Sequence, residues 1–170
     1  MARLSDYLAV ATIVAGAVAA AAIDVRTRRV PNALNALLAS IGLVLAVTGL
    51  SAVSVGAAAL GLGVGLALML PGFIFGAMGA GDVKLFAAMG TLVGPMHIVR
   101  AFVFTAIAGG LLAVAIAATR GRLRQTLART GTLVASGGSN AAAIEAPSEN
   151  NRFPYAPAIA VGCVIAALGL

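Results

Sequence analysis

Long apolar runs, separated by short polar turns, constrain this chain more than any other feature of its sequence. Hydrophobic residues make up 61% of the 170 residues, charged residues only 9%, and the mean hydropathy is +1.07. A soluble domain of this size needs far more charge to cover its surface. The runs are also too numerous to be one cleavable signal peptide ahead of a polar body. The composition therefore predicts an integral membrane protein.

The net charge of +6 does not indicate a nucleic-acid partner. Its basic residues lie in short segments between the apolar runs, without interleaved aromatic residues, so we expect the lipid bilayer as partner and no nucleic acid. Cys163 is the one cysteine and can form neither an internal disulfide nor a cysteine metal cluster. Because His97 is also the one histidine, the sequence predicts no metal site, and we expect no cofactor.

The lengths of the apolar runs predict an all-α, polytopic fold with six transmembrane helices. A helix crosses the hydrocarbon core with about 20 apolar residues, and the runs lack the period-two alternation of a membrane barrel. The predicted spans are about 7–24, 33–50, 53–75, 82–96, 100–119 and 154–170.

Arginine and lysine predict the orientation of these spans. If the turn after the first span is cytoplasmic, nine basic residues fall on that side, and Arg3 and Arg100 fall on the other. Cytoplasmic loops carry an excess of Lys and Arg. We therefore expect both termini on the periplasmic side, and both Asp24 and Asp82 at the cytoplasmic ends of their helices.

Small residues dominate the spans, and we interpret most of them as helix-packing positions. Gly56, Gly61, Gly63 and Gly65 belong to this group. The long polar segment at about 120–152 is predicted to be a mobile cytoplasmic loop with a short basic amphipathic stretch and no fold of its own. We expect one membrane-embedded domain over 1–170.

Two aspartates at predicted helix ends are candidates for a site. Acidic residues number five, and only Asp24 and Asp82 lie at the ends of apolar runs. Each could simply sit in headgroup water, Asp24 paired with a nearby arginine and Asp82 with Lys84. The local sequences favour a site, because Pro31 follows Asp24 in a sharp turn and "GAGD" leaves space beside Asp82 for the backbone of an extended substrate peptide.

Two carboxyl groups brought close share one proton and titrate as a pair. The anionic member can take a proton from attacking water, and the protonated member can donate to the amide carbonyl oxygen. Helix dipoles favour an ionised Asp82, which starts a helix, and a protonated Asp24, which ends one. The arginines after Asp24 favour the opposite assignment.

The segments "DVRTRRVPN", "GAGDVKL" and "PYAPAIAVG", in that order, resemble the type IV prepilin peptidases. These are GxGD-type aspartyl proteases of the bacterial inner (cytoplasmic) membrane that remove a short basic leader from pilin-like precursors at its cytoplasmic face, usually after a glycine. The resemblance implies Asp24 and Asp82 as the catalytic pair and a prepilin or pseudopilin precursor as substrate. Supporting or substrate-binding roles are expected for Gly79, Gly81, Lys84, Pro31, Asn32, Pro154 and Tyr155.

The chain departs from the larger members of that family, which carry a cytoplasmic insertion with paired cysteines and also methylate the new N-terminus. No such insertion lies between Asp24 and Asp82, so we expect no N-methyltransferase activity. The short form resembles the peptidases of tight-adherence (Flp) pilus systems. Two other classes stay open: a small proton-coupled transporter, which needs carboxylates near mid-membrane, and a structural subunit of a secretion system.

Overall fold

A computed structural model describes residues 4–76, 78–119 and 155–169 of the chain. Within these ranges it is all-helical, without strands. The helices are α1 (Leu4–Thr27), α2 (Asn32–Val47), α3 (Val55–Ile74), α4 (Ala80–Thr119) and α5 (Ala156–Ala167). The all-α prediction is confirmed. The predicted loop at 120–152 lies outside the described residues, and the single-domain organisation stays a prediction.

Within the described parts of the chain, three helical segments are long and apolar enough to cross a membrane, namely Tyr7–Thr27, Val55–Ile74 and Ala80–Ile116. The helices α2 and α5 are apolar but shorter. These findings agree with a membrane protein. The count of six spans and the periplasmic placement of both termini stay predictions.

The helix α4 contains a sharp break where the sequence predicts two separate spans. Gly94 has φ 77° and ψ 175°, a conformation outside the helical region that glycine adopts at little cost. Pro95 follows it, and proline both lacks a backbone N–H and disfavours helical geometry in the residue before it. The break divides α4 into halves at 80–93 and 95–119, and it falls two residues before the predicted end of the span at Met96.

The first half of α4 lies at the centre of the helix bundle. Leu85, Phe86 and Met89 are fully buried there, and α4 packs most extensively against α3 and α5 and also against α2. The ring of Phe86 meets that of Phe102 edge-on across the break, with centroids 6.3 Å apart. By contrast, α1 packs mainly against α5. Asp24 on α1 and Asp82 on α4 therefore lie on helices that both pack against α5.

Glycines set the spacing of α3 and α4, but not all of the predicted ones do. A Cβ on Gly61 would overlap the carbonyl oxygen of Gly90, and one on Gly65 would lie 3.1 Å from the Cα of Ala87. No atom of the described residues lies within 4 Å of a Cβ on Gly56 or Gly63. Gly61 and Gly65 are thus packing positions, whereas Gly56 and Gly63 face away from the described helices.

Candidate active site

Asp24 lies in the last turns of α1 and reaches the start of α5. Its side chain is 3% exposed, and its Oδ2 accepts a hydrogen bond of 3.1 Å from the backbone N–H of Ala156. Ala156 is the first residue of α5, whose first N–H groups have no partner inside the helix. The positive end of the α5 dipole therefore faces this carboxylate. The charge of Arg28 also acts on it.

The chain leaves α1 through a tight turn directly after Asp24. The N–H of Arg28 donates to the carbonyl of Asp24 at 2.7 Å, and Arg28 itself has φ 53°. The hydroxyl of Thr27 donates to the carbonyl oxygens of Ile23 and Arg29, both at 2.9 Å. Pro31 then takes extended geometry, with φ −64° and ψ 138°, as the N-cap of α2. The predicted turn between the first two helices is therefore present.

Asp82 lies in the first turn of α4, where its own helix holds it. Its side chain is 7% exposed, and its Oδ2 accepts a hydrogen bond of 3.3 Å from the N–H of Gly79. Gly79 immediately precedes the helix, and Asp82 is the third helical residue. A carboxylate at that position commonly accepts from the N-cap amide. The hydrogen bond from Gly79 thus fixes the position of one carboxyl oxygen of Asp82.

The other oxygen of Asp82 has no partner. Oδ1 is buried and makes no hydrogen bond in the described structure. A buried polar atom without a partner is costly by about 1–3 kcal/mol, and by more when the group is charged. Such atoms in native proteins need an explanation, of which a role in catalysis is one. Among the described residues, no group competes with a ligand for this oxygen.

The structure places the two aspartates close enough for the charge of one to act on the other. The charge of Asp24 acts on Asp82, and the charge of Asp82 in turn acts on the phenol of Tyr155, the residue before Ala156. Both carboxylates are thus near the start of α5, although α1 and α4 make few direct contacts. Each carboxylate accepts from the amide at a helix start. Helix dipoles therefore favour the ionised form of both aspartates, and not of Asp82 alone as the sequence predicted.

The two glycines of the motif have different surroundings. A Cβ on Gly81 would lie 3.0 Å from the carbonyl oxygen of Val30 and 3.3 Å from its Cβ. Among the described residues, a Cβ on Gly79 would meet Asp82 Oδ2, at 3.4 Å, and the amide of Gly81. The space beside Gly81 is therefore occupied by the turn between α1 and α2, whereas the sequence reasoning assigned that space to substrate.

The remaining predicted residues are Lys84, Asn32, Tyr155 and Pro154. Lys84 Nζ donates to Asn32 Oδ1 at 3.1 Å, which ties the start of α4 to the start of α2. Tyr155 is partly buried, and its ring occupies the place that a side chain on Gly109 would need. Pro154 lies outside the described residues.

Sequence reasoning missed Asn35 and the amide of Ala156. Asn35 is 5% exposed, and its Nδ2 donates to the carbonyl of Gly81 at 3.0 Å. A polar residue inside an apolar run is a signal that points to it. Nothing in the sequence identifies the Ala156 amide, because every residue carries one and only packing decides which amide meets a carboxylate.

The described residues contain no group of three or more His, Cys, Asp or Glu side chains that could hold a metal ion.

A buried acidic pair at helix ends, inside an apolar helical bundle, defines a candidate membrane-embedded hydrolytic site. The chain matches the model of the type IV leader peptidase family over residues 11–114, which is more than half of its length and includes Asp24 and Asp82. It belongs to that family, and the membership indicates a protease. The match ends before α5, so the contact with Ala156 lies outside it. No curated protein and no solved structure matches the chain.

Proposed function

We propose that the protein is an intramembrane aspartyl endopeptidase that removes the short basic leader from type IV pilin-like precursors. The observation that carries this proposal is the acidic pair itself. Asp24 and Asp82 are both buried, and each is held through one oxygen by a helix-start amide. The charge of Asp24 acts on Asp82. Family membership supplies the reaction class.

The geometry supports a water-mediated cleavage of the amide bond. One carboxyl carries the proton that the pair shares, because two adjacent carboxylates do not ionise together readily. The anionic carboxylate takes a proton from water as the water oxygen bonds to the carbonyl carbon. The protonated carboxyl donates its proton to the carbonyl oxygen. The resulting intermediate then collapses, the C–N bond breaks, and a proton passes to the leaving nitrogen.

The hydrogen bonds leave the right atoms available for this reaction. Gly79 and Ala156 each bind an Oδ2 atom, so these amides orient the carboxyl groups without using both oxygens. Asp82 Oδ1 has no hydrogen-bond partner among the described residues and is the atom that we assign to the water or the substrate carbonyl. Orientation of this kind lowers the barrier because the reacting groups need no further ordering.

The charge distribution supports the proposed location, and the family supports the proposed substrate. Nine of the eleven basic residues fall on the side to which the sequence assigns both aspartates, which supports cleavage at the cytoplasmic face of the bacterial inner membrane. The chain has one cysteine and therefore lacks the paired cysteines of the longer methylating forms. We infer a peptidase without N-methyltransferase activity.

The test is cleavage of a synthetic precursor peptide by the purified protein in lipid nanodiscs. The peptide carries a basic leader, a glycine and an apolar helix of about 20 residues. Asp24→Asn and Asp82→Asn should each reduce the rate by at least about 10²–10⁴-fold, because each removes one proton-transfer group. Asp6→Asn is the matched control and should retain activity.

Thermal unfolding of each variant shows whether the fold is intact. Wild-type rates in either Asp24→Asn or Asp82→Asn would remove that residue from the mechanism. Cleavage that is lost equally in Asp6→Asn would show that the effect is one of general stability.

A further inference from the structure

An open cleft of about 340 Å³ lies between α2, α3 and the first half of α4. Its walls are mostly apolar and include Ala36, Ala39, Leu62 and Leu66. From Asn32, at the start of α2, to Ala39 is roughly 10 Å along the helix at 1.5 Å per residue. The cleft therefore extends from the polar end of the bundle into its apolar part.

Asn35 connects the cleft to the backbone of the residue that precedes Asp82. This side chain lines the cleft, and its Nδ2 donates to the carbonyl of Gly81, the residue before Asp82. Its Oδ1 is buried and has no hydrogen-bond partner in the described structure. An acceptor of this kind, in a cleft with apolar walls, needs a donor from whatever occupies the cleft.

We propose that this cleft holds the apolar residues of the substrate that follow the cleaved bond, with Asn35 Oδ1 accepting a backbone N–H of that segment. The proposal rests on the proposed function and adds to it the place where the substrate is recognised. A volume of 340 Å³ is near the lower end of the range for ligand pockets, about 300–1,000 Å³. It fits a few apolar side chains of an extended segment and not a whole helix.

Two observations favour this occupant over the alternatives. Lys84 lines the same cleft, and its positive charge repels a basic leader, so the leader lies elsewhere. A lipid acyl chain also suits apolar walls, but it carries no donor for Asn35 Oδ1, whereas every non-proline residue of a peptide does. An extended peptide combines main-chain hydrogen bonds with side-chain pockets in this way.

The experiment narrows the cleft and compares two substrates. Ala36 is an exposed cleft residue, so Ala36→Leu adds bulk without disturbing the buried core. The long probe is the precursor peptide with the apolar helix, and the short probe ends two residues after the glycine. Ala36→Leu should raise KM for the long probe about tenfold and leave kcat/KM for the short probe unchanged.

Ala67→Leu is the matched control, because Ala67 is also an exposed alanine of the bundle but does not line the cleft. It should change neither KM. Equal effects of Ala36→Leu on both probes, or no effect on either, would overturn the proposal. A change only in co-purifying lipid, seen by native mass spectrometry, would identify a lipid site and would also overturn it.

Binding separates the failure of this inference from the failure of the proposed function. The affinity of a fluorescent long probe is measured on wild-type protein and on Ala36→Leu. If wild-type protein binds the probe without cleaving it, and Ala36→Leu weakens that binding about tenfold, the cleft stands while the peptidase assignment fails. If cleavage occurs but Ala36→Leu binds and cleaves as wild type does, only the cleft assignment fails.

Discussion

Gly81→Ala is the substitution that most directly tests how the structure positions Asp82. A methyl group there would lie 3.0 Å from the carbonyl oxygen of Val30 and 3.3 Å from its Cβ. Val30 is 7% exposed and immediately precedes Pro31, so its backbone is restricted and cannot readily move aside. We expect the first turn of α4 to shift away from the turn between α1 and α2.

The size of the shift follows from the contact distances. Ordinary van der Waals contact begins at 3.4 Å, so the methyl group must gain about 0.4 Å. Overpacking by one methyl costs about 1–3 kcal/mol, and we expect the lower end because the turn lies at the edge of the bundle. A misplacement of about 1 Å can cost 10²-fold in rate. We therefore expect roughly a tenfold loss of kcat for Gly81→Ala.

The assay is cleavage of the synthetic precursor peptide that carries the basic leader, the glycine and the apolar helix. Thermal unfolding is measured in parallel. Gly79→Ala is the matched control from the same motif, because a methyl group there meets Asp82 Oδ2 at 3.4 Å, an ordinary contact. It should lose less than about threefold in rate, since no backbone has to move. If Gly79→Ala is the more damaging change, the glycines serve substrate access and the packing argument is wrong.

Two further pairs of glycines give matched predictions. Gly61→Ala should destabilise the protein by about 1–3 kcal/mol, because its methyl group overlaps the backbone of α4. Gly63→Ala meets nothing within 4 Å and should be neutral or stabilising by up to about 1 kcal/mol in the same unfolding measurement; similar values for both would refute the close helix contact. Gly109→Ala places a methyl group 2.9 Å from the ring of Tyr155. Tyr155 precedes Ala156, whose N–H binds Asp24, so cleavage should slow by about three- to tenfold. Gly110→Ala has nothing within 4 Å and should cleave as wild type does; an equal loss in both variants would show that the ring contact does not transmit to the site.

Much of the fold was predictable because hydropathy is a local property. An apolar run that is long enough must satisfy its backbone hydrogen bonds internally, and a helix is the way a single segment does so. The break in α4 was predictable to within two residues for the same reason, since Gly94 and Pro95 act on their own backbone. The aspartates were also identifiable, because charge is rare in such a chain and costly where it occurs.

What the sequence alone determined is that the chain is helical and apolar, and which two carboxyl groups are candidates for chemistry. Only the tertiary structure decided what holds them. The hydrogen bond from Ala156 to Asp24 joins residues 132 positions apart, and an amide that every residue possesses gives no local signal. The same holds for Gly61 and Gly63, which are alike in sequence but differ in whether another helix lies against them. Such contacts depend on how the helices pack, and packing is a property of the whole chain.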